Sequence, residues 1–145
     1  MGFLGTGAST AADVNLLSQL VVVALLIAGR WMLSDKKRAR LHGQLMVFAV
    51  VVTGVGIAIV MLPSLVFGFG AITSDPTIPG SLISIFHSII GGAAWLYGAY
   101  LSLIWGLKPT TVECYKRKSA MRLVFIAWLA AAVLGVGFYV YYYVV

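Results

Sequence analysis

Charge is what this chain lacks most. Its 145 residues hold four Asp and Glu against ten Lys and Arg, and charged residues make up 10% of the whole. A soluble domain carries about 25%, so a water-exposed shell around a buried core is excluded. The acids Asp13, Asp35, Asp75 and Glu113 fall at the ends of apolar stretches or between them. That placement argues against a proton-coupled transporter built on buried acids. Cysteine occurs once, as Cys114, so no internal disulfide framework exists. No hydrolase, nucleotide-binding or kinase motif is present.

What is there is apolar. Hydrophobic residues are 61% of the chain and its mean hydropathy is +1.02. One bilayer crossing takes roughly 20 apolar residues, and four such stretches consume most of the sequence. The pattern predicts an all-α integral membrane protein of one membrane domain, with helices over 14–33, 41–62, 81–105 and 121–143. Short connections make neighbours antiparallel, giving an up-and-down bundle of four transmembrane helices. Arg30, Lys36, Lys37, Arg38 and Arg40 form one basic cluster; Lys108, Lys116, Arg117, Lys118 and Arg122 form the other. Basic residues beside transmembrane helices stay in the cytoplasm. The connections 34–40 and 106–120 are therefore expected inside and both termini outside. The net charge of +6 is then a topology signal, not a sign of nucleic-acid binding. Cys114 falls in the second inner loop, where the cytoplasm keeps a thiol reduced.

Segment 63–80 holds three of the four prolines, one acid and no base. It is expected as an apolar outer loop, beginning where Pro63 stops the second helix and lying on the membrane surface or against a partner chain. The N-terminal stretch, rich in Gly, Ser and Thr, reads as a short flexible lead. Tyr139, Tyr141, Tyr142 and Tyr143 fit an outer aromatic belt, with Trp31 and Trp105 in the inner one. Small and polar residues fall at steps of three or four on three helices. These stripes are His42, Met46, Ala49, Thr53 and Gly56; His87, Gly91, Ala94, Gly98 and Ser102; and Ala127, Ala131 and Gly135. In lipid, such stripes let helix backbones approach closely.

The two histidines are the candidates for chemistry, because an ionisable group inside a span usually has a partner or a function. His87 lies at a depth similar to Asn15, Ser18, Gln19 and Tyr139. One reading is a structural polar cluster of Asn15, Gln19 and Tyr139 around the imidazole. The other is a haem or metal ligand, since helix bundles build cofactor sites from facing helices. His42 sits at the inner end of the second helix, where it can face water or headgroups. Met46 is one turn along, and Met121 and Cys114 lie on the same side. His with Met suits copper or haem iron, although the spacing matches no specific metal motif. Antiparallel packing puts His42 and His87 roughly 20 Å apart along the membrane normal, from about 1.5 Å of rise per residue. They cannot both hold one iron. Haem at either would need another ligand, such as Met61 near His87 or Met121 near His42, or would be five-coordinate.

The segment Lys37-Arg38-Ala39-Arg40-Leu41-His42-Gly43-Gln44-Leu45-Met46 resembles the start of the second helix in a small four-helix membrane family catalogued as a domain of unknown function. The likeness continues through Phe86-His87, Tyr115-Lys116, Trp128, Gly135 and Tyr139, covering nearly the whole chain. That family includes a maturation factor for a-type haem-copper cytochrome oxidase in Gram-positive bacteria. The resemblance implies a prokaryotic plasma-membrane protein that is not itself an enzyme. It would assist a respiratory membrane complex by binding subunits, and haem or copper with them, with His42 and His87 as the functional positions. Members often carry a further histidine in the basic segment before the last helix; this chain has Tyr115, Lys116, Arg117 and Lys118 there, so no role needing three histidines is implied. Two other roles fit the same residues: a permanent structural subunit of a larger membrane enzyme, and a small b-type haem electron carrier.

Overall fold

The computed structural model describes residues 2–32, 38–106 and 116–145, together with the backbone but not the side chains of 105 and 106. Asp35, Lys36, Lys37, Lys108, Glu113, Cys114 and Tyr115 lie outside the described residues, as do most of both basic connections.

The described residues are helical and include no strand. Helix α1 spans Thr10–Met32 and α2 spans Ala39–Gly56. A π-turn, Ile57–Met61, carries α2 directly into α3, Leu62–Ser74. Helix α4, Pro79–Leu101, runs into a second π-turn, Ser102–Gly106, and α5 spans Lys118–Tyr143. Four stretches are long and apolar enough to cross a membrane: Thr10–Met32, Ala39–Ser74, Pro79–Ile104 and Lys118–Tyr143.

The largest departure from the sequence expectation is at Pro63, which does not end the second helix. Proline lacks the N–H of an α-helical bond and its ring presses on the carbonyl four residues back. Here the strain is taken up one turn earlier, where the wider π-turn has Leu62 N–H bonded to the Ile57 carbonyl. Pro63 then occupies the first turn of α3, where a proline is tolerated. Most of the segment 63–80, expected as a loop, is therefore helix. What remains of it is a short turn at Asp75, whose carboxylate accepts hydrogen bonds from the Thr77 amide at 3.0 Å and hydroxyl at 2.6 Å. Ile78 is extended, as a residue before proline should be, and Pro79 opens α4. At the other end, α1 begins at Thr10, not at residue 14, because the Ser9 hydroxyl accepts from the Ala12 amide and caps the first turn.

Helix α4 packs chiefly on α5, and α1 on α2. Along both pairs the contacts run in opposite sequence directions. Gly80 meets Tyr141 and Tyr142, Gly91 meets Ala131, and Gly98 meets Val124 and Trp128. Gly29 meets His42 and Met46, while Gly56 meets Asn15 and Gln19. The small-residue stripes therefore lie at these seams. Trp128 covers Gly98 so closely that a Cβ there would lie 2.7 Å from the indole, and Trp95 covers Gly54 likewise at 2.9 Å. Trp95 also donates from Nε1 to the Val50 carbonyl at 3.0 Å, tying α4 to α2. Val22, Leu26, Ala49, Ala94 and Trp128 form the centre. Much of the remaining apolar surface faces outward, as lipid permits.

Candidate functional site

His87 projects from α4 onto α5. Its Nδ1 lies 2.9 Å from the Ala131 carbonyl, and its ring lies over Gly135, where a Cβ would come within 3.0 Å of Cε1. A carbonyl oxygen cannot donate, so Nδ1 carries the proton and donates. In the neutral ring Nε2 is then the unprotonated nitrogen, with its lone pair free. His42 repeats the device at the α1–α2 seam: its Nδ1 lies 2.9 Å from the Gly29 carbonyl. At 7% exposure His42 is buried, so the expectation that it faces water or headgroups is corrected. The absent side chain of Gly29 is the reason, since it opens room on α1 for both the imidazole and Met46. Neither Nε2 is among the buried, unpartnered polar atoms of the described residues.

Fixing one ring nitrogen on a backbone carbonyl is how proteins orient imidazole ligands and set their tautomer. The donor set thus fits a single nitrogen ligand at each histidine. It does not fit one bis-histidine haem, because His87 meets the α5 residues Ala131 and Gly135 while His42 meets Gly29 near the far end of α1. Met46 adds a thioether beside His42. No group of three or more His, Cys, Asp or Glu able to hold a metal occurs among the described residues.

The expected polar cluster of Asn15, Gln19 and Tyr139 around His87 is not formed. The structure separates it into two. Tyr139 donates to Asp13 Oδ1 at 2.5 Å. Since its own proton is used there, it accepts from the Thr6 hydroxyl at 2.7 Å. Asp13 Oδ2 in turn accepts from the Leu4 amide at 2.9 Å. Asp13 is completely buried, not at a solvated helix end. The chain before α1 is correspondingly no loose lead: the Gly2 amide bonds to the Ala8 carbonyl, and the Gly7 amide to the Tyr143 carbonyl. Sequence reasoning passed over Asp13 because it lies just before the apolar run, although Ser9 and Asp13 together were the signal for an earlier start. Asn15 and Gln19 turn the other way, toward Gly56 of α2.

Compared with models of known protein families, with curated proteins and with solved structures, the chain matches none.

Proposed function

We propose that this protein is an accessory or assembly factor of a respiratory membrane complex, serving maturation of a haem-copper oxidase. It would lie in the plasma membrane of a prokaryote as an antiparallel up-and-down bundle, with both termini outside and the basic connections in the cytoplasm. The observation that carries the functional reading is the pair of histidines. Each holds Nδ1 on a carbonyl of the neighbouring helix, so Nε2 is the nitrogen that would ligate haem iron or copper. The resemblance around Lys37–Met46 and Phe86–His87 supports the choice of complex. The topology is supported by the Gly7–Tyr143 bond, which joins the two ends of the chain, and by the basic residues at the opposite ends of the spans. In this reading the protein binds subunits and presents or receives a cofactor, and catalyses nothing itself.

The test is a reduced-minus-oxidised visible spectrum of the mildly solubilised protein, with iron and copper quantified on the same sample. A Soret and an α band at near-stoichiometric iron, lost in His87→Ala or His42→Ala, is the expected result for haem handling. One copper per chain lost in His42→Ala and Met46→Leu is the expected result for copper handling. Neither metal in protein purified from a respiring host would sink the ligand role.

A permanent structural subunit is the second reading, favoured by α3. That helix buries no residue, and Phe67 on it is 89% exposed. Co-purification with a large membrane complex at fixed stoichiometry would move the assignment to it.

A further inference from the structure

Among the described residues, three polar atoms on α1 and α2 are buried and have no hydrogen-bond partner: Asn15 Oδ1, Gln19 Nε2 and Thr53 Oγ1. Thr53 is only 4% exposed. Asn15 and Gln19 are four residues apart and share a face of α1; Thr53 and Gly56 are three apart and share a face of α2. A Cβ at Gly56 would lie 2.6 Å from Asn15 Oδ1 and 3.3 Å from Gln19 Nε2, so both amides press on the face that carries Thr53. Several other polar side chains in the spans are satisfied. Ser18, Ser84, Trp95, His42 and His87 each bond a backbone carbonyl. A buried threonine in a helix ordinarily does the same with the carbonyl one turn back, and Thr53 does not. The bilayer core offers no water to orphaned groups, so three together in one seam require an explanation.

We propose that Asn15, Gln19 and Thr53 form a binding site for one neutral, hydroxyl-type oxygen held between α1 and α2. The chemistry follows from their inventory. Asn15 Oδ1 only accepts, Gln19 Nε2 only donates, and Thr53 Oγ1 does either. The complement is an oxygen that donates one hydrogen to Asn15 and accepts from Gln19. Exchanging O and N in both amides leaves this inventory unchanged. An anion would meet the Asn15 oxygen and a cation the Gln19 amide hydrogens, and among the described residues no Lys, Arg or carboxylate is shown in contact with either amide to offset them. On the inner side, buried Val22, Leu26 and Ala49 separate the cluster from His42. The cluster is therefore not continuous with the imidazole of His42. Two sources supply such an oxygen: a water molecule, or the hydroxyl of a lipid-soluble alcohol or phenol. The site stands independently of any cofactor on the histidines.

The test is the apparent unfolding temperature in lipid nanodiscs of the parent, Thr53→Val, Thr53→Ser and Asn15→Leu, with organic extraction and mass spectrometry of each sample. Removing an orphan raises stability, whereas removing one wall of an occupied site lowers it. The expected result is a fall of about 3 °C or more in Thr53→Val and Asn15→Leu, and parent-like behaviour in Thr53→Ser. A rise in the apolar variants overturns the proposal, as does an equal fall in Thr53→Ser and Thr53→Val, which would make the effect one of packing. With the expected pattern, a hydroxylated small molecule recovered at one per chain and lost in Thr53→Val identifies a lipid-soluble ligand. Its absence under the same pattern identifies water.

Discussion

At the scale of single residues, the polar groups decide this structure because lipid leaves them few partners. Asp13 illustrates it. A carboxylate removed from water is stabilised only by hydrogen bonds, here from Tyr139 and the Leu4 amide. Replacing Tyr139 with Phe removes the donor to Asp13 and the acceptor for Thr6 together. The expected loss is about 1–3 kcal/mol, with faster amide exchange at Leu4 and Gly7 measured in nanodiscs. Unchanged protection at Leu4 would show that the Tyr139 hydroxyl does not hold the N-terminal cap. At Gly135 the constraint is space. Gly135→Val places new carbon against a ring already 3.0 Å from the Cβ position, and overpacking of this kind costs about 1–3 kcal/mol. If the protein carries haem on His87, the α band of the variant shifts or is lost; a parent spectrum and melting temperature would refute the contact. Outside the spans, the Thr77 hydroxyl and amide hold the Asp75 carboxyl below its ordinary 3.8. A depressed acid supports the fold fully above its ordinary value, and that support fades as pH falls through the lower folded value. Carboxyl NMR titration should find a midpoint under 3.8, and a midpoint at or above it contradicts the turn geometry.

At the scale of elements, the π-turn is the feature that hydropathy hides. The apolar pattern read Pro63 as a stop, since proline removes one bond of the helical ladder. The chain instead widens one turn and continues for another 13 residues. Pro63→Ala restores the missing donor and lets the turn close to α-helical bonding. That would rotate α3 relative to α2 by about 100°, the twist per residue of an α-helix. Single cysteines at 66 and 67, probed with a lipid-phase reagent, should exchange their order of reactivity in the variant. An unchanged order would mean that packing of Asn15 and Gln19 against Gly56 sets the π-turn, with proline a bystander. The close approach of α4 and α5 rests on glycine in the same way. Gly98→Val would push Trp128 away from a contact at 2.7 Å, and a lowered melting temperature is expected.

At the scale of the whole molecule, the four apolar spans were legible because each bilayer crossing leaves a mark in composition alone. Four apolar stretches, the basic clusters and the small-residue stripes could all be counted in the chain, and the stripes lie at the seams where α1 meets α2 and α4 meets α5. The proposed orientation predicts that reporters fused at either terminus read as external. It also predicts that Cys114 is labelled by an impermeant thiol reagent only after the membrane is opened. Labelling of intact cells would invert the topology.

The sequence by itself determined that the protein is helical, with four stretches able to cross a membrane, and that His42 and His87 lie on the faces of closest packing. Those properties follow from local hydropathy and from the 3.6-residue period, which neighbours in sequence carry. Only the tertiary structure decided which polar groups meet. Asn15, Gln19 and Tyr139 share a depth, yet Tyr139 turned to Asp13 and Thr6 while the two amides turned to Gly56. Depth is fixed by position along a helix, but partners depend on how each helix is rotated about its axis. That rotation is set by glycine gaps and tryptophan bulk on the helix opposite, which no single segment records.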